Sequence, residues 1–300
     1  MLDLEFLRQL HDRHEDCLKA RVETFSLGGT HFDFATRTHL MGVVNLSADS
    51  WYRESVCLDV ESAIARGLVL GAQGADLVDL GAESTLEKAA RVEGQEQNGK
   101  LLPVIRALSG EGVKVSVETY LPSVTEACLK AGAVVLNLTG NEHLEEHFRR
   151  VAEHEAGVIL CYVQGSHVRD VGDFRFAADI VGDMHDYFAR RIDLAAKCGV
   201  RKIFIDPGLG FYYRNLQDSS RRVAHQMEVF LNTFRLRTLG WPTCHALPHA
   251  FEYFGEEVRC AEPFMAVLAL LGKTDLLRTH EIPRVRAVAR TLAVFPGGSR

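Results

Sequence analysis

The sequence predicts a (β/α)8 barrel preceded by an N-terminal helix and a β-hairpin. Three observations carry that reading. Short apolar runs alternate eight times with amphipathic helical stretches along the 300 residues, a pattern that demands a parallel sheet. None of the runs reads as an edge strand, which favours a closed barrel over its alternative, a doubly wound sheet. Nearly every run also ends in a polar residue, at the strand end where barrels keep their chemistry.

In chain order, Leu4, Leu7, Leu10 and Leu18 have helical spacing and predict a helix over about 2–20. Residues 1–21 then form an extension and 22–296 the barrel domain. Val22 to Ala35 alternates around Gly28-Gly29, which predicts a hairpin plugging one end of the barrel. Strands are expected near 39–45, 76–81, 113–118, 133–138, 157–163, 202–206, 243–247 and 274–278. Helices are expected near 60–74, 93–109, 121–131, 142–155, 174–198, 218–239, 261–271 and 282–293, each with apolar residues three or four apart.

The run Ile203-Phe204-Ile205-Asp206-Pro207-Gly208 shows the theme most clearly: a buried strand stops at a carboxylate, then turns on Pro and Gly. Asn45, Asp79, Glu118, Asn137, Tyr162 or Gln164, Asp206, His249, Arg278 and His280 occupy equivalent positions. A single Asn or Asp after a strand is more often a turn former. So many strand-end polar groups are hard to explain by turns alone, and they predict one concave polar pocket.

Bulk properties narrow the function. Forty acidic against thirty-four basic residues give a net charge of −6 with no basic block, so nucleic acid is not an expected partner. No stretch is long and apolar enough to span a membrane. The N-terminus is acidic and amphipathic, without the basic start and apolar centre of a signal peptide. Seven scattered cysteines with no CxxC pair favour reduced thiols and a cytoplasmic location.

Two long motifs carry a family resemblance. Met41-Gly42-Val43-Val44-Asn45-Leu46-Ser47-Ala48-Asp49-Ser50-Trp51 resembles M-G-I-L-N-V-T-P-D-S-F, and Gly74 to Thr85 resembles G-A-D-I-I-D-I-G-G-E-S-T, both of dihydropteroate synthase. In matching order follow Ser116-Val117-Glu118-Thr119-Tyr120 (S-V-D-T-Y), Leu136-Asn137 (I-N-D), Asp206 to Phe211 (D-P-G-I-G-F) and Arg278-Thr279-His280 (R-V-H).

The resemblance implies a transferase of folate biosynthesis that joins hydroxymethyl-dihydropterin diphosphate to p-aminobenzoate with release of pyrophosphate. By residue-wise carry-over, Asn45 meets a Mg2+-bound diphosphate. Glu118, Asn137 and Asp206 hold the pterin edge, and Arg278 with His280 clamps the diphosphate. His249 aligns with the lysine that meets the pterin carbonyl, and Asp49 and Thr85 join the substrate-binding set. The catalytic group is then Asp206, Glu118 and His249. A homodimer through helices 261–271 and 282–293 would match the family's habit.

Four departures fall at ligand-facing positions. Leu86-Glu87 replaces Arg-Pro, His249 replaces Lys with its flanking serines lost, Glu118 replaces Asp, and Ala48 replaces Pro. They set the expectation that synthase activity is weak, with a pterin-binding homologue using a different second substrate, or without synthase activity, as the alternative.

Overall fold

A computed structural model describes residues 2–47, 55–83, 92–165, 172–211, 213–216 and 218–295. Its centre is an eight-stranded parallel sheet: β3 (His39–Asn45), β4 (Leu77–Gly81), β5 (Val115–Glu118), β6 (Val135–Leu138), β7 (Gly157–Cys161), β8 (Ile203–Asp206), β9 (Cys244–Ala246) and β10 (Leu276–Thr279). The spatial order is β8-β7-β6-β5-β4-β3-β10-β9. A parallel bridge between Ile205 and Thr243, with the Ile205 N–H donating to the Pro242 carbonyl at 3.0 Å, draws the two ends together into a nearly closed barrel.

Helices α2 (Val60–Gln73), α3 (Gly94–Gly110), α4 (Pro122–Lys130), α5 (Leu144–Glu153), α6 (Ile180–Lys197), α7 (Ser219–Asn232), the short α8 (Phe251–Phe254), α9 (Ala261–Leu271) and α10 (Ile282–Ala293) follow the strands. Their starts obey local chemistry. Asp59, Asp179 and Asp218 each accept from a backbone N–H in the first turn of α2, α6 and α7, satisfying donors that have no partner within the helix. Gly74 closes α2 at φ 103°, where an added Cβ would meet the Arg286 guanidinium at 2.5 Å.

The hairpin is present as expected, with β1 (Phe25–Leu27) paired to β2 (Thr30–Phe32). Gly28 and Gly29 both sit at positive φ, as a tight primed turn requires. Phe25, Leu27, Phe32 and Phe34 pack on Met41, Leu77, Val135, Ile159, Phe204, Cys244 and Leu276, one side chain from each of seven barrel strands. Phe25 meets Phe204 edge-on at 5.2 Å between ring centres. This aromatic plug seals the N-terminal end of the barrel and leaves the strand C-termini as its open mouth.

Three helical boundaries differ from the sequence expectation. The N-terminal helix ends early: α1 covers Leu4–Arg13, and a tighter 3-10 turn follows over Glu15–Lys19. No residue of α1 is fully buried: Leu7 and Leu10 pack only partly on the core, and the chain past His14 is a 3-10 turn rather than a continued helix. α6 begins at Ile180 rather than near 174, where Asp179 supplies the cap. The stretch expected as one helix over 218–239 changes to a 3-10 segment at Thr233, where the side chains of Asn232 and Thr233 bond back to the carbonyls of Glu228 and Val229.

Candidate active site at the barrel mouth

Strand register builds the site. Asn45, Gly81, Glu118 and Asn137 are successive partners across β3, β4, β5 and β6, so the strand-end residues form one row. One side-chain period deeper, Asp79 stands opposite Ser116, and on the far side Asp206 pairs with Cys161.

Asp79 is fully buried and acts as the hub. Its Oδ1 accepts from the Ser116 hydroxyl at 2.6 Å. Its Oδ2 accepts from Asn137 Nδ2 at 3.0 Å and from Arg278 Nε at 2.8 Å. The Glu118 carboxylate lies beyond it, with Oε2 3.7 Å from an Arg278 terminal nitrogen. Glu118 Oε1 accepts from the Thr139 hydroxyl at 3.0 Å and from Tyr120 at 3.4 Å.

Burial pushes the Glu118 carboxyl up to about 7, against the opposing pull of Arg278. Burial likewise lifts Asp206 to about 6, although the Gly208 N–H donates to its Oδ1 at 2.8 Å and Arg278 again opposes the rise. The inner mouth therefore sets three buried carboxyl groups against one guanidinium. Such a surface is rich in acceptors and suited to a ligand edge rich in N–H donors.

A second cluster lies at the ends of β9 and β10. His280, one residue past β10, brings Nδ1 to 2.7 Å from Glu262 Oε1, and His249 brings Nε2 to 3.0 Å from the same oxygen. Glu262 is fully buried in the first turn of α9. Burial alone would raise its carboxyl, but His280 and His249 outweigh that and hold it well below the usual carboxylate range. Burial lowers His280, in part offset by Glu262.

Arg278 and His280 thus turn to different partners, Arg278 to Asp79 inside the barrel and His280 to α9. On the other side of the mouth Asn45 donates through Nδ2 to the Ser55 hydroxyl at 2.6 Å.

Of the residues singled out in the sequence, Glu118, Asn137 and Arg278 share one network through Asp79, and Asp206 adjoins it. His249 and His280 share Glu262, and Asn45 sits in the strand-end row. Asp49 and Thr85 lie outside the described residues, as does Leu86. Sequence reasoning missed Ser116 and Thr139, each two residues from a named site residue on the same strand face or its extension. That spacing could have found them. It also missed Glu262, which no strand-end signal marks.

A parallel barrel whose mouth gathers carboxylates, amides and one guanidinium defines a class: a barrel enzyme that reads a polar heterocycle. The profile of the pterin-binding enzymes matches residues 41–244. The dihydropteroate synthase of Synechocystis sp. is 27% identical over 279 residues, covering 88% of this chain and 92% of that protein. Among solved structures, dihydropteroate synthase of Xanthomonas albilineans with 4-aminobenzoic acid superposes with a TM-score of 0.76 at 28% identity, covering 92% of this chain and 99% of that one. The same protein in complex with 7,8-dihydropteroate gives 0.72 at 25% identity, covering 90% and 97%. This chain belongs to the pterin-binding enzyme family, as a dihydropteroate synthase family member.

Proposed function

We propose that the protein condenses hydroxymethyl-dihydropterin diphosphate with p-aminobenzoate to form dihydropteroate, in folate biosynthesis. The observation that carries this is the buried set of Asp79, Glu118 and Asp206 around Arg278, with Asn137 bonded into it. A pterin offers an amidine edge of N–H donors, which carboxylates and an amide read as paired hydrogen bonds. In the reaction the pterin-methylene C–O bond breaks, pyrophosphate leaves with the electron pair, and the amine forms the new C–N bond and loses a proton. Asp206 and Glu118 face the positive charge that develops on the pterin as the leaving group departs, which is preorganised electrostatic stabilisation. Arg278, bonded to Asp79 through Nε, has terminal nitrogens that supply donors to the departing oxygens.

Mg2+ fits Asn45. Its amide nitrogen is the atom donating to Ser55, so the amide oxygen is the side-chain ligand atom. One neutral oxygen suits a hard cation that takes its remaining ligands from phosphate and water. Bound there, the ion would neutralise diphosphate charge.

We further propose a homodimer and a cytoplasmic location. Phe264 and Leu271 of α9 are exposed, as are Leu292 of α10 and Val294 and Phe295 just past it, which supports a second copy as partner of this face. All seven cysteines are free thiols, which suits a reducing compartment. Among the described residues no helix is long and apolar enough to cross a membrane.

The test is incubation with the pterin diphosphate, Mg2+ and p-aminobenzoate, following pyrophosphate release and dihydropteroate by chromatography, with Asp206→Asn as the inactive control. A second reading, a pterin-binding homologue with another second substrate or no synthase activity, is favoured by one observation: His249, in the place of a lysine, faces Glu262 at 3.0 Å. Tight pterin binding by calorimetry without turnover of p-aminobenzoate would establish that reading instead.

A further inference from the structure

We propose that His249, Glu262 and His280 form a binding site for a divalent transition-metal ion of the zinc type, separate from the magnesium at Asn45. His249 Nε2, Glu262 Oε1 and His280 Nδ1 all lie within 4.8 Å of one another. The two nitrogen-to-oxygen distances are 3.0 and 2.7 Å. Ligand atoms about 2.0–2.1 Å from a tetrahedral zinc stand roughly 3.3 Å apart, so a modest opening of the cluster admits the ion. Two imidazoles and one carboxylate are a ligand set zinc uses in open sites, where a fourth position is left to water or a ligand oxygen. Imidazole nitrogen also selects against Mg2+, which prefers oxygen.

The strongest support is the way Glu262 is held. Its other oxygen, Oε2, accepts from the Thr279 hydroxyl, from the His280 N–H at 2.9 Å and from the Glu281 N–H at 3.3 Å. Three donors fix that oxygen and leave Oε1 as the atom presented to both rings, the outer-shell arrangement that orients a monodentate carboxylate ligand. The rings are held as well: His249 stacks on Phe251 with planes 21° apart and lies 5.1 Å from the His280 ring, centre to centre. Three side chains from the ends of two strands and the start of α9 therefore converge on one point. Without the ion, His280 Nδ1 is hydrogen-bonded to the carboxylate and His249 Nε2 stands 3.0 Å from it. With the ion bound, each ring would present a nitrogen lone pair to it and keep its one proton on the other nitrogen.

Protein stripped with a chelator should take up one zinc per chain at micromolar free Zn2+, measured by equilibrium dialysis and elemental mass spectrometry. Co2+ in its place should give the visible ligand-field band of a four-coordinate nitrogen and oxygen site. His249→Ala and His280→Ala should each weaken binding by roughly 100-fold or more, and Thr279→Val by roughly 10-fold, the scale seen when outer-shell partners are removed. His154→Ala, at the residue that caps the C-terminus of α5 beside Glu126, should leave affinity unchanged. Less than stoichiometric zinc at tens of micromolar free ion overturns the proposal, as does wild-type affinity in both histidine variants. Should Glu262→Gln fail to fold by circular dichroism, the histidine variants decide alone. No pterin or benzoate enters the measurement, so its result is independent of the proposed condensation.

Discussion

Arg278 donates through Nε to Asp79 at 2.8 Å, joining residues 199 positions apart and tying β10, the last barrel strand, to β4 over the intervening β3. Asp79 is wholly inaccessible, and Arg278 is partly buried with its side chain 19% exposed. The pair therefore does two tasks: it links the first and last quarters of the barrel, and it keeps a cation at the centre of the acceptor-rich site. Removing one partner of a buried pair costs about 3–5 kcal/mol, because the other charge is left without compensation. Asp79 keeps its bonds from Ser116 and Asn137, so Arg278→Ala should fall at the lower end, about 3 kcal/mol. Urea unfolding measures it, and calorimetry with the pterin diphosphate should show weakened binding in the same variant. An unchanged unfolding midpoint would remove the pair from any structural role.

Glu118 makes stability depend on pH in a defined direction. Its carboxyl titrates near 7 when folded and near 4.5 when unfolded, so between those values the folded chain binds more protons. Stability from this group is complete below the unfolded value and is lost as pH rises through about 7. Glu118→Gln should abolish that loss and leave the variant more stable than the parent at pH 8, by on the order of 3 kcal/mol if the surroundings do not relax. Paired denaturant curves at pH 5 and pH 8 measure the difference. A parent and variant with parallel pH profiles would show that Glu118 is not held protonated by burial. Pterin affinity should move the opposite way, rising with pH through 7, because the ionised carboxylate is the better acceptor.

Most of the barrel was legible because strands buried on both faces read as continuous apolar runs, and helices covering them as amphipathic ones. The inner site was legible for the same reason: a polar residue closing an apolar run stands out, as Asp79, Glu118, Asn137 and Asp206 do. Glu262 was not. In sequence it is an acid in the first turn of an apolar helix, where the helix dipole favours one anyway, and only the fold reveals that it meets two histidines from other elements. The break at His14 was hidden for a different reason. The leucine spacing through Leu18 is helical, but a helix that buries no residue completely gains little from packing to continue.

Gly208 is required by the turn that aims Asp206. It adopts φ 75°, and an added Cβ would lie 2.5 Å from the Tyr162 carbonyl oxygen. Its N–H also donates to Asp206 Oδ1 at 2.8 Å, so the turn and the carboxylate orientation are one device. Gly208→Ala should cost roughly 1–3 kcal/mol from the strained conformation. It should also reduce pterin affinity, because relieving the clash moves the donor that holds the carboxylate. Unaltered affinity with lowered stability would separate the two effects and leave Asp206 positioned by its strand alone.

His249 sets the last expectation. The family resemblance places a lysine here, whose permanent charge and long flexible stem can reach a pterin carbonyl. In this chain the imidazole is short, stacked on Phe251, and has Nε2 3.0 Å from Glu262. A ring held in this way cannot follow the substrate as an ammonium can. His249→Lys should therefore raise condensation with p-aminobenzoate, by about 10-fold if the gained contact lowers the barrier by about 1.4 kcal/mol. Glu262 remains to pair with the ammonium when the site is empty, so the variant should fold. The comparison is made in chelator-treated protein with Mg2+ as the added metal, which keeps it independent of zinc at the same residues. Neighbouring Ala250, at φ 45°, is best left unchanged, since a serine there would inherit the same left-handed backbone. If the unmodified protein turns over p-aminobenzoate as fast as His249→Lys or faster, the histidine is a full functional replacement for the lysine, and the expectation of weak synthase activity fails.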